Sequence, residues 1–122
     1  MKEIIFFKII LWINLSLLFL HEMDAVRTME WKMMIFFNKL KDGIAADIFI
    51  GSHFFMFMII LYMYEFHFII LYWFISVFFI LHQLLHFFFI NHPLNMMNTL
   101  YSRTIIFLMF AVSVYGIIYA VI

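Results

Sequence analysis

Residues 44–90 read IAADIFIGSHFFMFMIILYMYEFHFIILYWFISVFFILHQLLHFFFI, and the helix count turns on how this run is divided. As one helix it would extend about 70 Å, more than twice the ~30 Å hydrocarbon core of a bilayer. As two helices folded back on each other it fits. Glu65 and His67 stand near its middle and mark the expected turn, although no Gly or Pro accompanies them. The run therefore divides into helices over 44–64 and 66–90. Upstream, Ile4–Leu20, extending to Val26, has the ~20 mostly apolar residues that a crossing requires, and so does Thr104–Ile122 downstream. The expected fold is all-α: a four-helix transmembrane bundle forming a single integral membrane domain over residues 1–122.

Composition agrees with that reading. The chain has 122 residues, of which 69% are hydrophobic and 23% aromatic. Only 11% are charged, against about 25% in soluble domains. A soluble core of this size could not hide so much apolar surface. The N-terminus imitates a signal peptide, with Lys2 ahead of an apolar run from Ile9 to Leu20, but no small-x-small cleavage site follows. A retained first helix is expected. Net charge is zero, which gives nucleic acid nothing to bind. There is no Cys, so disulfides, thiolate nucleophiles and iron–sulfur clusters are excluded. A metal site would have to use His, carboxylate or carbonyl ligands, a set that suits zinc, iron or manganese.

The connections carry signals of their own. Residues 27–43 hold Trp31, the run Met33-Met34-Ile35-Phe36-Phe37, and Arg27, Lys32, Lys39 and Lys41. That run is too short to span, and an interfacial helix with Trp31 at headgroup level is expected after the first helix. Asp42-Gly43 is a turn, with Asp42 placed to cap the second helix. Asn91-His92-Pro93 stops the third helix. Asn95–Ser102 reads as a shorter interfacial piece. The first and third connections carry five basic residues, Arg27, Lys32, Lys39, Lys41 and Arg103, against Lys2 and Lys8 on the other side. The positive-inside rule then puts both connections in the cytoplasm and both termini outside a plasma (inner) membrane.

Histidines and acids are expensive in hydrocarbon and usually pair, bind something or line a polar cavity. Here they gather at one depth. His21-Glu22-Met23-Asp24 ends the first helix. His53 lies about 13 Å into the second, while His82 and His86 lie about 12 and 6 Å from the end of the third, all measured from the same membrane face. His92 stands at that face, whereas Glu65 and His67 stand at the opposite one. His82 and His86 form H-x-x-x-H, which puts two imidazoles on one helix face within reach of a single ion. The candidate metal ligands are His21, His53, His82 and His86, and the candidate acid/base groups or further ligands are Glu22 and Asp24. A bundle builds metal sites from such facing helices. Each group also has a bland role: histidines that only hydrogen-bond a neighbouring helix, an Asp24–Arg27–Glu30 ion-pair ladder on a helix surface, His92 and His67 as loop and turn residues.

His21-Glu22-Met23-Asp24-Ala25, followed by Glu30-Trp31, resembles the H-E-[ILM]-D-A…E-W signature of a small bacterial membrane-protein family of unknown function. His53, the L-H-x-x-L-H of Leu81–His86 and the Asn91-His92-Pro93 stop are similar too. The resemblance implies a compact four-helix membrane protein over the whole chain with a shared polar site, and no defined activity. It is more distantly similar to the HXXEE-type membrane domain, but the second acid here is Asp24. Fatty-acid hydroxylase-like histidine boxes, the adjacent Glu-Glu pair of CAAX-protease-like proteins and the H-E-x-x-H of zinc peptidases are all missing.

Three functions remain open at this level. One is a metal-dependent, hydrolase-like site on a lipid-like substrate, with zinc or iron as cofactor. The second is a non-enzymatic membrane subunit, homo-oligomer or partner-binding bundle. The third is a proton or metal-ion pathway, against which stands the lack of polar residues in the external half.

Overall fold

The computed structural model describes residues 2–34, 36, 37 and 39–122. Among them the chain is all helical: α1 (Lys2–Arg27), a 3-10 helix (Glu30–Met33), α2 (Asp42–Phe66), α3 (Phe68–Phe88) and α4 (Leu100–Val121). All four α-helices are long and apolar enough to cross a membrane. Their outward faces carry Trp12, Phe54, Phe55, Ile70, Phe74, Phe107 and Tyr115, all exposed. Such continuous apolar surface belongs against hydrocarbon or a partner rather than water.

The long run divides at His67, two residues later than the break expected at Glu65. His67 is the only residue between α2 and α3, with φ −140° and ψ 41°. Its N–H still bonds back to the Met63 carbonyl and its carbonyl accepts from Leu71, so the ladder is interrupted without leaving those groups unmade. The α3–α4 connection closes differently. Asn95 Nδ2 donates to the carbonyls of Phe89 and Ile90, and Asn98 Nδ2 to that of Ile90, satisfying acceptors that the end of α3 leaves open. Thr99 then caps α4 by accepting from the Ser102 amide at 3.1 Å. Leu100–Ser102 thus belong to α4 rather than to an interfacial piece.

Helices α1, α3 and α4 form the tight part of the bundle. Every third or fourth residue of α1 faces inward: Ile10, Leu11, Asn14, Leu18, His21 and Ala25 are buried. Ile10, Leu11 and Leu18 meet Leu71, Tyr72, Ile75 and Phe79 of α3 and Ile105 and Met109 of α4. Gly116 is where α4 comes closest. A Cβ there would stand 2.6 Å from Tyr72 Oη and 2.9 Å from Ile10 Cγ2. Helix α2 stands to one side, with only Ala45 and Phe49 buried.

Between α1 and α2 the helical piece is the four-residue 3-10 turn, and Trp31 within it does not face the headgroups as expected. It is buried in a second cluster with Ala25, Ala45, Phe49, Met97 and Ile106, its ring 5.4 Å from that of Phe49. Its ring packs against apolar neighbours while its Nε1–H is buried without a partner among the described residues. Ile35, in the apolar run assigned to that piece, lies outside the described residues. Asp42 is likewise not the cap of α2. The cap position is Lys41, and Asp42 sits in the first turn, where its charge favours the helix N-terminus and reaches Lys32 Nζ at 3.0 Å.

Candidate metal centre

Helix α1 delivers two adjacent polar residues, His21 and Glu22. Neighbours on an α-helix point about 100° apart, so the two side chains address different partners. His21 turns to α3 and Glu22 to α2.

On the α3 side, His21 Nε2 lies 2.8 Å from His82 Nε2, which lies 3.0 Å from His86 Nε2. The i, i+4 spacing of His82 and His86 sets the two rings edge to face on one face of α3, their centroids 4.5 Å apart. Glu30 closes the group from the 3-10 helix, one oxygen 3.7 Å from His21 Nε2 and the other 3.6 Å from His86 Nε2. One ligand atom from each of His21, Glu30, His82 and His86 falls within 4.8 Å of all the others. Burial, reinforced by the negative charges of Glu22 and Asp24, pushes the Glu30 carboxyl up to about 7.

Proton sharing alone serves this geometry poorly. A ring nitrogen offers a single direction in the ring plane, for one proton or one lone pair. His82 Nε2 nevertheless has two histidine nitrogens at contact distance. Around a divalent ion with bonds of about 2.0–2.1 Å, tetrahedral ligand atoms stand roughly 3.3 Å apart. The neighbouring contacts of 2.8–3.7 Å, two of them made by different Glu30 oxygens, lie around that value, and one atom from each residue falls within 4.8 Å of the rest. Three imidazoles and one carboxylate form a mixed nitrogen–oxygen donor set that suits zinc or iron.

On the α2 side, His53 Nδ1–H donates to the Phe49 carbonyl at 2.6 Å, and Nε2 meets Glu22 Oε2 at 2.6 Å. Since the carbonyl can only accept, the second proton of the pair lies between Nε2 and the carboxyl. A cavity of about 310 Å³ joins both sides, lined by His21, Glu22, Glu30, His82 and His86 together with apolar residues such as Phe49 and Phe78.

The candidate residues named from sequence thus separate. His21, His82 and His86 come together. His53 stands outside that group and holds Glu22. Asp24 is buried and bonded to Arg27, with Nε at 2.9 Å, and its backbone carbonyl accepts from Thr28 Oγ1. It takes no part in the cluster. Glu30 takes the place that sequence reasoning offered to Glu22 or Asp24. The ladder assignment of Glu30 required α1 to continue, but α1 ends at Arg27 and Met29 adopts φ 53°, ψ 46°. This left-handed residue, the only non-glycine of its kind among the described residues, swings Glu30 back over His21. A methionine gives no hint of such a conformation.

The fold and site define a class: an apolar four-helix protein with a histidine–carboxylate cluster at one end of its bundle. The chain belongs to a family of unknown function, DUF6713, whose model matches residues 7–122. No curated protein and no solved structure matches it.

Proposed function

We propose that this is a multi-pass protein of the plasma (inner) membrane in which His21, His82, His86 and Glu30 bind a divalent transition metal, zinc or iron. The reading continues with both termini external, the α1–α2 and α3–α4 connections cytoplasmic, and hydrolytic chemistry on a lipid-like substrate. The observation that carries the metal is the convergence of four ligand atoms from α1, the 3-10 helix and α3 within 4.8 Å, at the wall of a cavity. Four protein donors fill a tetrahedral shell, so a water would have to join as a fifth ligand, where the metal would act as a Lewis acid and lower its pKa.

The chain's own groups supply the rest. Glu22 lines the same cavity without joining the ligand cluster, and His53 holds it by one shared proton. A carboxylate so placed serves as acid/base, taking a proton from water and returning it to a leaving group. Phe49 and Phe78 keep the cavity apolar around those polar atoms.

The test is metal content. Purified protein from zinc- or iron-supplemented cultures should carry about one equivalent by elemental analysis, and His82→Ala close to none. Equal, near-zero metal in both samples would sink the metal reading and leave a bundle whose polar residues pack helices or meet a partner.

A further inference from the structure

A second cavity, of about 620 Å³, runs between α1, α2 and α3. Its walls are apolar along their length: Leu18 of α1, Met56, Ile60 and Met63 of α2, Leu71 and Ile75 of α3. Two residues at one end, Glu22 and Phe78, line this groove and the histidine cavity alike. The groove is thus continuous with the proposed chemical site, and Glu22 stands at the junction. Its other end lies toward the α2–α3 link, the single residue His67, with Met63 and Leu71 the lining residues nearest to it.

Helix α2 is tied to α1 at two points along this groove. Glu22–His53 fixes it at the polar end, and Trp12 Nε1–H donates to Tyr64 Oη at 2.6 Å near the other. Between these two bonds Ile60 and Met63 of α2 pack against the core cluster, and the slot runs along that partly buried face.

We infer that this groove binds one acyl chain of a membrane lipid or fatty acid derivative, with the chain's polar end placed at Glu22 beside the histidine–Glu30 cluster. The walls offer no partner for a polar group along the slot, so its occupant is hydrocarbon. The single polar residue at the open end requires an occupant that is polar at one end only. From Met56 to Met63 the slot is seven residues of helix, about 10 Å. Carbon–carbon bonds of ~1.5 Å in a zigzag advance about 1.3 Å per carbon, so the slot takes a chain of about 8 carbons. A chain stopped at the α2–α3 link would make the slot a ruler. This assignment rests on the reading of the cluster as a chemical centre and names what that centre acts on.

The experiment uses full-length protein in phosphatidylcholine nanodiscs with fatty acids of graded length, each bearing a terminal diazirine. Irradiation should label Met63 and Leu71, with an optimum near the length of the slot. Ile59 lines the groove from an exposed position on α2. Ile59→Trp should abolish the Met63 and Leu71 label with metal content unchanged, and Met63→Phe should move the optimum to shorter chains. Label spread evenly over the outward residues Phe54 and Phe55, with no length optimum and no effect of Ile59→Trp, would overturn the groove while leaving the metal reading intact. Groove labelling in protein that carries no metal would instead overturn the substrate assignment through the failure of the metal reading.

Discussion

The two ends of the bundle solve the problem of polar atoms in an apolar chain in opposite ways. Around Gly116, helices α1, α3 and α4 approach so closely that Tyr72 Oη and Ile10 fill the space a side chain would need. The polar groups there are few and sealed: Asn14 Nδ2 donates to Ser113 Oγ at 3.2 Å, while Tyr72 Oη and Ser76 Oγ are buried without partners. At the other end His21, Glu22, Glu30, His82 and His86 surround a cavity. The small residues bring helices together, and the large polar ones hold them apart. The difference teaches that polarity alone does not mark the site; it is polarity beside space that can accept something.

That comparison can be broken most severely at the open end. Replacing a first ligand should cost more than the 10- to 100-fold in metal affinity that supporting residues cost, so His82→Ala should weaken zinc binding by over ~100-fold in a competition titration. Retained affinity would reduce the cluster to packing. At the closed end, Gly116→Ala should destabilise the protein by about 1–3 kcal/mol, because the new methyl meets Tyr72 Oη and Ile10. Tyr72→Phe removes the nearest of those atoms and should restore part of the loss. Reversible unfolding in mixed micelles, read as a double-mutant cycle, checks both, and no coupling between the two positions would contradict the close approach.

A smaller effect is expected where the closed end does hydrogen-bond. Ser113→Ala should cost about 0.6 kcal/mol, the usual size of an interhelical bond in a membrane. A loss several times larger would mean that Asn14 is more than helix glue. The smallest effect sharpens the open end itself. His53→Ala should leave metal content unchanged, since His53 bonds Glu22 and not the cluster. A parallel fall in metal would merge the two halves of the site into one.

The fold was largely legible because it rests on length and hydropathy. A run over residues 44–90 leaves few choices, and Asn91-His92-Pro93 stops α3 as such residues do. The site was legible by depth and not by direction. Counting 1.5 Å per residue places His53 level with His82, but it does not say that His53 faces Glu22 while His21 completes the group on α3. That depends on how α1 is rotated within the bundle, which packing of Leu11, Leu18 and Ala25 decides. Glu30 was hidden for a local reason, the left-handed turn at Met29, which ends a ladder that the spacing of Asp24, Arg27 and Glu30 seemed to promise.

Helix α1 has one rotational freedom and two obligations. With His21 and Glu22 about 100° apart on its surface, any roll that pressed His21 closer to α3 would draw Glu22 away from His53. Acid/base group and ligand cluster are therefore geared together. A disturbance at either partner helix reaches the other through the twist of a single cylinder, without any contact between His53 and His82.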